Sequence, residues 1–395
     1  MTGQSGAFHL DRRQVLRLFG AVAAVGATGA ASACTDEPLG TQMERPSGRT
    51  ITVGLITPAL GPFAFIGNDI QRGFKLFLED HGSLLGRHNV DLRSAEEGAT
   101  PEAASAAVAD LLNQNVIALA GVANPASLAA IAPQVQEARI PLVSAHAAPS
   151  TLTSQLYLWR VSSVEGEAGT ALAAYLRAEG NTAYLLAEDS ANGRAEAEAF
   201  RRAYTDLGGA VVGDAVGGPY GSRLQQARSL GARSIFAACS GQDASDLLEA
   251  YRVAGLAAKL MGPLSLTETV DLSKLSALPG NVFTSSYYAP DLDNEPNRRF
   301  VASYHKAHGI QPSGFAMAGY DSALVLDKAL RLVSGEPTPS ALNQAFSLLG
   351  QIYSPRGTWT FNQNRTPQQK WYLRRLRNDG AVPANMLETD LSVLS

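Results

Sequence analysis

The sequence predicts an α/β protein with two doubly wound parallel-sheet lobes behind an export signal. Three observations carry that expectation. Short continuous apolar runs alternate with helical stretches; the alternation resumes in the second half of the chain; and 45% hydrophobic against 17% charged residues gives enough material for well-buried sheets. Unbroken apolar strands suit sheets covered on both faces, and strand–helix alternation means βαβ units with parallel pairing.

The first strand is Ile51-Thr-Val-Gly-Leu-Ile56, which runs into a Gly/Pro turn and a helix from about Asn68 to His81. Val90-Asp-Leu-Arg93 is a second strand, Pro101 to Asn115 an Ala-rich helix, and Val116 to Ala120 a third strand. A helix near Ala126 to Glu137 and a strand at Pro141 to Ser144 complete the first unit. The second unit opens with a helix at Glu165 to Ala178, a strand at Thr182 to Leu186 and a helix at Gly193 to Leu207. Strands follow at Ala210 to Val212 and Ser234 to Ala238, then a helix at Ala244 to Ala254 and a strand at Lys259 to Met261. In the last third, Pro296 to His308 and Gly319 to Val333 read as helices. Thr358 to Phe361 and Gln369 to Arg375 read as a hairpin turned at Asn362-Gln-Asn-Arg365.

The N-terminus carries its own message. Arg12 and Arg13 precede an uncharged stretch from Leu18 to Ala33, and Ala31-Ser32-Ala33-Cys34 places a cysteine right after small residues. A basic region, an apolar core and a small-residue cleavage site make a secretory signal peptide, too short for a spanning helix. The paired arginines resemble a twin-arginine export address, and the site at Cys34 resembles a bacterial lipobox. The expected lipidation at Cys34 would anchor the chain to the outer face of the membrane. Thr35 to Arg49, with few large apolar residues, reads as a tether.

Composition excludes several functions. The formal net charge is −4 and no Lys/Arg-rich block follows the leader, so nucleic acid is not an expected partner. With Cys34 lipidated, Cys239 has no cysteine partner, so no internal disulfide is expected. Nucleotide-loop and G-x-S-x-G spacings are absent, and no cofactor is implied. His305 and His308 share a helical face but have no third metal ligand near them in sequence. Asp189 and Asp243 stand at strand ends where helix caps are common. A Cys239–His146 nucleophile lacks an orienting group, so no enzyme is expected.

Several motifs together resemble a known family. Ile51-Thr-Val-Gly-Leu-Ile-Thr-Pro-Ala-Leu-Gly-Pro-Phe63 with Gly67 and Gly73, Gly121-Val-Ala-Asn-Pro-Ala-Ser127, and Ile140-Pro-Leu-Val-Ser144 with Ala147-Ala-Pro149 lie in the first half. Leu260-Met-Gly-Pro263, Ala318-Gly-Tyr-Asp321 and Arg356-Gly-Thr-Trp-Thr-Phe361 follow. In order and spacing these resemble the type 1 periplasmic solute-binding proteins of ABC importers, the branched-chain amino-acid (leucine)-binding family. The resemblance implies two lobes joined by three crossover strands, near Val161, Ser285 and Tyr353. It further implies a monomer, a small-molecule ligand in the interlobe cleft and an ABC permease as partner. The chain then divides into a signal (1–33), the lipidated Cys34 with its tether (34–49), lobe I (50–161 plus 286–352) and lobe II (162–285 plus 353–395).

Residue by residue, the resemblance places the ligand loops at Asn124, Ala126 and Ser127 and at Ser144, His146, Ala147 and Ala148. Ala148 and Pro125 stand where hydroxyl residues are expected, and Leu264 stands where an acidic residue pairs with the ligand ammonium. Asn192 and Ser240 align with second-lobe aromatics, Tyr320 with an aromatic near the cleft, and Phe65 and Ile66 with the cleft mouth. Glu268 is an alternative anion four residues beyond Leu264. A buried ammonium without an anionic partner is costly. The expected ligand is therefore small, uncharged or weakly acidic, and free of amines. Delivery to an ABC importer is the leading function, and a sensor of the same fold signalling to a membrane partner is the alternative.

Overall fold

The apolar runs pair into two sheets. A computed structural model describes residues 47–146, 149–180, 182–275, 281–379 and 382–394. The leader and Cys34 lie outside these residues, as do Ala147 and Ala148. The first sheet has strand order β2-β3-β1-β4-β5-β6. Its strands are β1 (Thr50–Thr57), β2 (Leu84–Leu85), β3 (His88–Glu96), β4 (Ala118–Gly121), β5 (Leu142–Ser144) and β6 (Leu158–Arg160). All its pairings are parallel except that of the two-residue β2 with β3.

The second sheet has order β12-β13-β14-β11-β10-β9-β7-β8, with β15 paired to β14. Its parallel part comprises β7 (Thr182–Ala187), β8 (Ala210–Val216), β9 (Ser234–Ala238), β10 (Lys259–Pro263) and β11 (Val282–Ser286). The sheet then turns antiparallel through β12 (Ile352–Ser354), β13 (Gly357–Phe361), β14 (Pro367–Asp379) and β15 (Val382–Leu394). The predicted hairpin is β13–β14. Strand β15 was not read from the sequence, nor was β6, which has only three residues.

Helices cover both faces of each sheet. On the first sheet, α1 (Ala64–Asp80), α2 (Pro101–Leu112) and α3 (Pro125–Ala138) follow its strands. On the second, α4 (Glu167–Ala178), α5 (Ala191–Asp206), α6 (Tyr220–Ser229), α7 (Gly241–Ala254) and the one-turn α8 (Ser265–Glu268) do so. Then α9 (Glu295–His308), α10 (Gly314–Leu332) and α11 (Pro339–Phe346) return to the first sheet. Phe315, Ala316, Val325 and Leu326 of α10 share one core with Val53 and Leu55 of β1 and Phe74 of α1. The opposite face is filled by Val108, Leu119, Ile131 and Leu142. In the second sheet, Leu186, Leu224, Ile235 and Leu248 form one core, and Leu172, Leu185, Phe200 and Phe236 the other. The missed helices α6 and α11 are short, and α6 begins after Pro219 in a glycine-rich run that reads as a turn.

Two glycines set how closely α1 and α10 pack. A β-carbon at Gly73 would lie 1.8 Å from the Ala316 carbonyl oxygen, and one at Gly319 would lie 2.1 Å from the Ile70 carbonyl oxygen. Neither obstacle is a side chain that can rotate away, so the contact is backbone on backbone. Helix α10 also starts earlier than the sequence reading placed it, because Ser313 caps it by accepting the Ala316 N–H at 3.1 Å.

The segments joining the two sheets meet at one buried ion pair. Arg356 contacts Asp321 at 2.9 Å, with both side chains essentially inaccessible to solvent. Ser354 donates to the same Asp321 oxygen at 3.1 Å, and Trp359 Nε1 donates to Ser354 at 3.2 Å. Arg356 also bonds Gln369, whose amide donates to the Ser162 carbonyl at 2.6 Å. Its guanidinium lies 4.0 Å from the Trp359 ring centroid and 5.8 Å from that of Tyr287.

Gly319→Ala is expected to destabilise the fold by about 1–3 kcal/mol through overpacking. Chemical denaturation of the two proteins measures this; an unchanged midpoint would mean that α1 and α10 separate without penalty.

Candidate functional site

The carboxyl ends of β1, β4, β5, β7, β9 and β10 converge on one cavity of about 470 Å³. In open α/β sheets this is where loops gather and helix N-termini point. Its first-sheet wall includes Phe63, Ile66, Asn124, Ala126, His146 and Phe315. Its second-sheet wall includes Glu188, Asn192, Glu196, Ser240 and Leu264. Glu165, Tyr287 and Trp371 lie on its lining close to the segments that join the sheets. The volume suits a small organic molecule.

Of the residues singled out from sequence, Ile66, Asn124, Ala126, His146, Asn192, Ser240 and Leu264 line this cavity. Four others do not. Phe65 is 46% exposed, because the helical step from Ile66 turns it outward. Ser127 is fully buried beside Glu97. Ser144 turns its hydroxyl back toward the His146 carbonyl at 3.4 Å. Tyr320 packs edge-on to Phe77 with ring centroids 5.0 Å apart and lines a separate surface depression. The cavity aromatic on α10 is Phe315, one residue into a helix whose start the sequence reading placed at Gly319. Glu268 is also unavailable: it pairs with Arg374 and accepts the Gly314 N–H at 2.8 Å.

Sequence reasoning missed the carboxyl groups that organise the loops. Glu97 is wholly buried, and its two oxygens accept the N–H groups of Ala123 and Asn124 at 2.8 Å each. It thereby holds a turn in which Val122 adopts φ 64°, an unusual conformation for a β-branched residue. Asn124 then caps α3 by accepting the Ala126 N–H at 3.0 Å. In the other lobe, Glu188 accepts from the Ser240 N–H at 2.7 Å and from the Ser240 and Ser190 hydroxyls. Glu196 accepts the Gly166 N–H at 2.8 Å. Burial pushes Glu97 and Glu196 up to about 7. For Glu97 and Glu188 the available sequence signal was an acidic residue just beyond a strand end, the same signal that marks ordinary caps; Glu196, inside α5, offered none.

Burial lowers His146 to about 4, so the imidazole is neutral at physiological pH. Its Nδ1 has no partner among the described residues, and the same holds for Asn192 Oδ1, Glu196 Oε2 and Trp371 Nε1. These four unsatisfied polar atoms belong to residues on one cavity lining. Cys239 is buried beside the Tyr220 hydroxyl, and burial pushes its thiol up to about 12, which leaves no thiolate for nucleophilic chemistry. Asp189 pairs with Arg194 and Asp243 accepts from Tyr220. Among the described residues no cluster of His, Cys, Asp and Glu is placed to hold a metal.

Comparison with known proteins agrees with this geometry. The family described as periplasmic binding protein matches residues 50–381. The Leu/Ile/Val-binding protein homolog 6 of Brucella abortus is 28% identical over 357 residues, 86% of this chain and 91% of the relative. A solute-binding protein of an ABC transporter from R. palustris, solved with benzoate, is 26% identical with a TM-score of 0.76 over 87% of this chain and 98% of its own. Another, from Rhodopseudomonas palustris HaA2 with p-hydroxybenzoic acid, is 26% identical with a TM-score of 0.77 over 88% of this chain and 98% of its own.

At pH 4.5 Glu97→Gln is expected to cost about 1–3 kcal/mol, since the amide nitrogen cannot accept the second N–H group. The pH dependence has a definite sign. The folded chain keeps the Glu97 proton up to about 7, whereas the unfolded chain releases it near 4.5. The contribution from Glu97 is therefore complete below about 4.5 and is lost as pH rises toward 7. Unfolding measured across that window should show this loss in the parent and lack it in Glu97→Gln; parallel profiles would remove Glu97 as its source.

Proposed function

The chain belongs to the periplasmic binding protein family, and we propose that it captures a small solute with an apolar body in the cleft between its lobes and presents it to an ABC importer. The observation that carries this reading is the cavity itself. It lies at the carboxyl ends of strands from both sheets, and residues on its lining hold four polar atoms that have no partner within the described protein. Unsatisfied buried groups are costly, and a ligand toward which these side chains turn recovers that cost. Phe63, Ile66, Leu264, Phe315, Tyr287 and Trp371 supply an apolar surround. The benzoate and p-hydroxybenzoic acid held by the two similar proteins are aromatic molecules of this kind.

Capture proceeds by lobe movement. A solute touching both walls favours the closed arrangement by its differential contacts with the two lobes, and a permease reads that arrangement. Lobe I comprises 50–161 plus 286–352, and lobe II comprises 162–285 plus 353–395. The protein acts as a monomer on the extracytoplasmic face of the membrane. The twin-arginine leader and Cys34, both outside the described residues, support export and lipid anchoring.

A thermal-shift screen of the full chain against small aromatic and aliphatic compounds tests capture. A ligand at 100 times its Kd adds about 2.7 kcal/mol, which raises the melting temperature. Ala126→Trp, at an exposed position on the lining, is expected to abolish that rise without lowering the Tm of the free protein. A library that produces no rise would remove the reading. For anchoring, Cys34→Ala is expected to stop lipid labelling and release the protein from the membrane fraction; a membrane-bound Cys34→Ala protein would overturn it.

A further inference from the structure

The solute-capture reading leaves open which polar group the ligand carries, and the charge distribution of the cavity bears on that. The helix N-termini that usually receive anions are partly occupied here by the protein itself. At α3, the Ala123 and Asn124 N–H groups go to Glu97, Pro125 has none, and the Ala126 N–H goes to Asn124. At α7, the Ser240 N–H goes to Glu188 and the Gly241 N–H to Thr269 at 2.7 Å. At α5, Ser190 accepts the Gly193 N–H at 3.0 Å.

Of the unpaired atoms, Trp371 Nε1 is a donor, whereas Glu196 Oε2 and Asn192 Oδ1 are acceptors. Glu165, Glu188 and Glu196 line the cavity, and no Lys or Arg does so among the described residues. Glu188 is committed to Ser190 and Ser240. Glu196 is only 7% exposed; one oxygen holds Gly166, and the other has no partner among the described residues. Glu165 is close enough to Glu196 for the two charges to repel. Phe63, Tyr287, Phe315 and Trp371 add aromatic surface around them. Carboxylates beside aromatic faces form a surround for a cation, which gains both charge pairing and ring attraction. A carboxylate ligand meets repulsion at the same wall.

We infer that the cleft takes a small organic cation, a primary ammonium or amidinium on an apolar body, with Glu196 and Glu165 as its counter-ions. This reverses the expectation drawn from Leu264. The anionic partner absent from that loop is supplied by the crossover segment and by α5. It also separates this protein from the relatives solved with benzoate and p-hydroxybenzoic acid. Binding a cation favours ionised Glu196, so capture near pH 7 releases a proton. The titratable groups around it are Glu165 and Glu167 on the crossover and the start of α4, Glu188 after β7, and His146 after β5.

Calorimetry of the full chain with benzylamine and benzamidine against benzoate and benzamide decides the question. The two cations should bind while benzoate does not. Glu196→Gln should weaken them about tenfold or more, the scale of one charge-assisted hydrogen bond. Glu165→Gln, at a half-exposed position, provides a second variant if the first folds poorly. Heats measured near pH 7 in phosphate and in Tris should differ by the ionisation heat of the released proton, and Glu196→Gln should erase that difference. Benzoate binding with inert cations overturns the inference, and so does cation binding unaffected by both variants. If none of the four compounds binds, the cation assignment falls, whereas solute capture falls only if the wider library also gives no shift.

Discussion

The rest of the structure depends on the buried contact between Arg356 and Asp321. Both charges are out of water, a cost that an ion pair repays only with good geometry and further hydrogen bonds. Here Ser354, Gln369 and the Trp359 ring supply part of the surroundings, while Arg356 Nε and Asp321 Oδ1 have no partner among the described residues. Through these groups the node touches each segment that joins the two sheets. Ser162 follows β6, Tyr287 follows β11, and Ser354 closes β12. A cleft between two sheets has a defined shape only if its connections are fixed, and this cluster fixes all of them around one guanidinium. A charged group suits the position because it holds several partners in directions that an apolar side chain cannot specify.

Carboxylates do similar work at the cavity. Glu97 and Glu188 each lie at or just past a strand end and bind the loop that follows a different strand. Each converts a mobile strand-to-helix turn into a fixed wall by accepting N–H groups that would otherwise need water or ligand. Val122 can remain at positive φ because Glu97 holds the two residues after it. The binding surface is thus organised from beneath by acids that do not themselves line it or, in the case of Glu188, are already engaged.

Much of the fold was legible in the sequence because parallel strands buried on both faces are unbroken apolar runs, as Ser234–Ala238 illustrates with bounds as expected. Strand β15 and helix α11 were not, since β15 mixes Glu, Thr and Asp with apolar residues and α11 spans only eight residues. At the site, residues in the ligand loops were found because strand-to-helix turns announce themselves by Gly, Asn and Pro. Trp371 and Tyr287 were missed because nothing local distinguishes a cavity aromatic from a core one; their place depends on partners hundreds or tens of residues away. Tyr320 was placed near the cleft by resemblance alone; it packs against Phe77 instead, and Phe315 is the α10 aromatic on the cavity.

The return of α10 and α11 to the first sheet has a consequence for the making of the protein. The face formed by β1 and α1 is covered by residues from 315 to 346, so its apolar surface stays open until most of the chain has left the ribosome. Contacts of such sequence separation are slow to form and leave sticky intermediates. Until residue 346 is made, one face of the first sheet therefore lacks the helices that cover it.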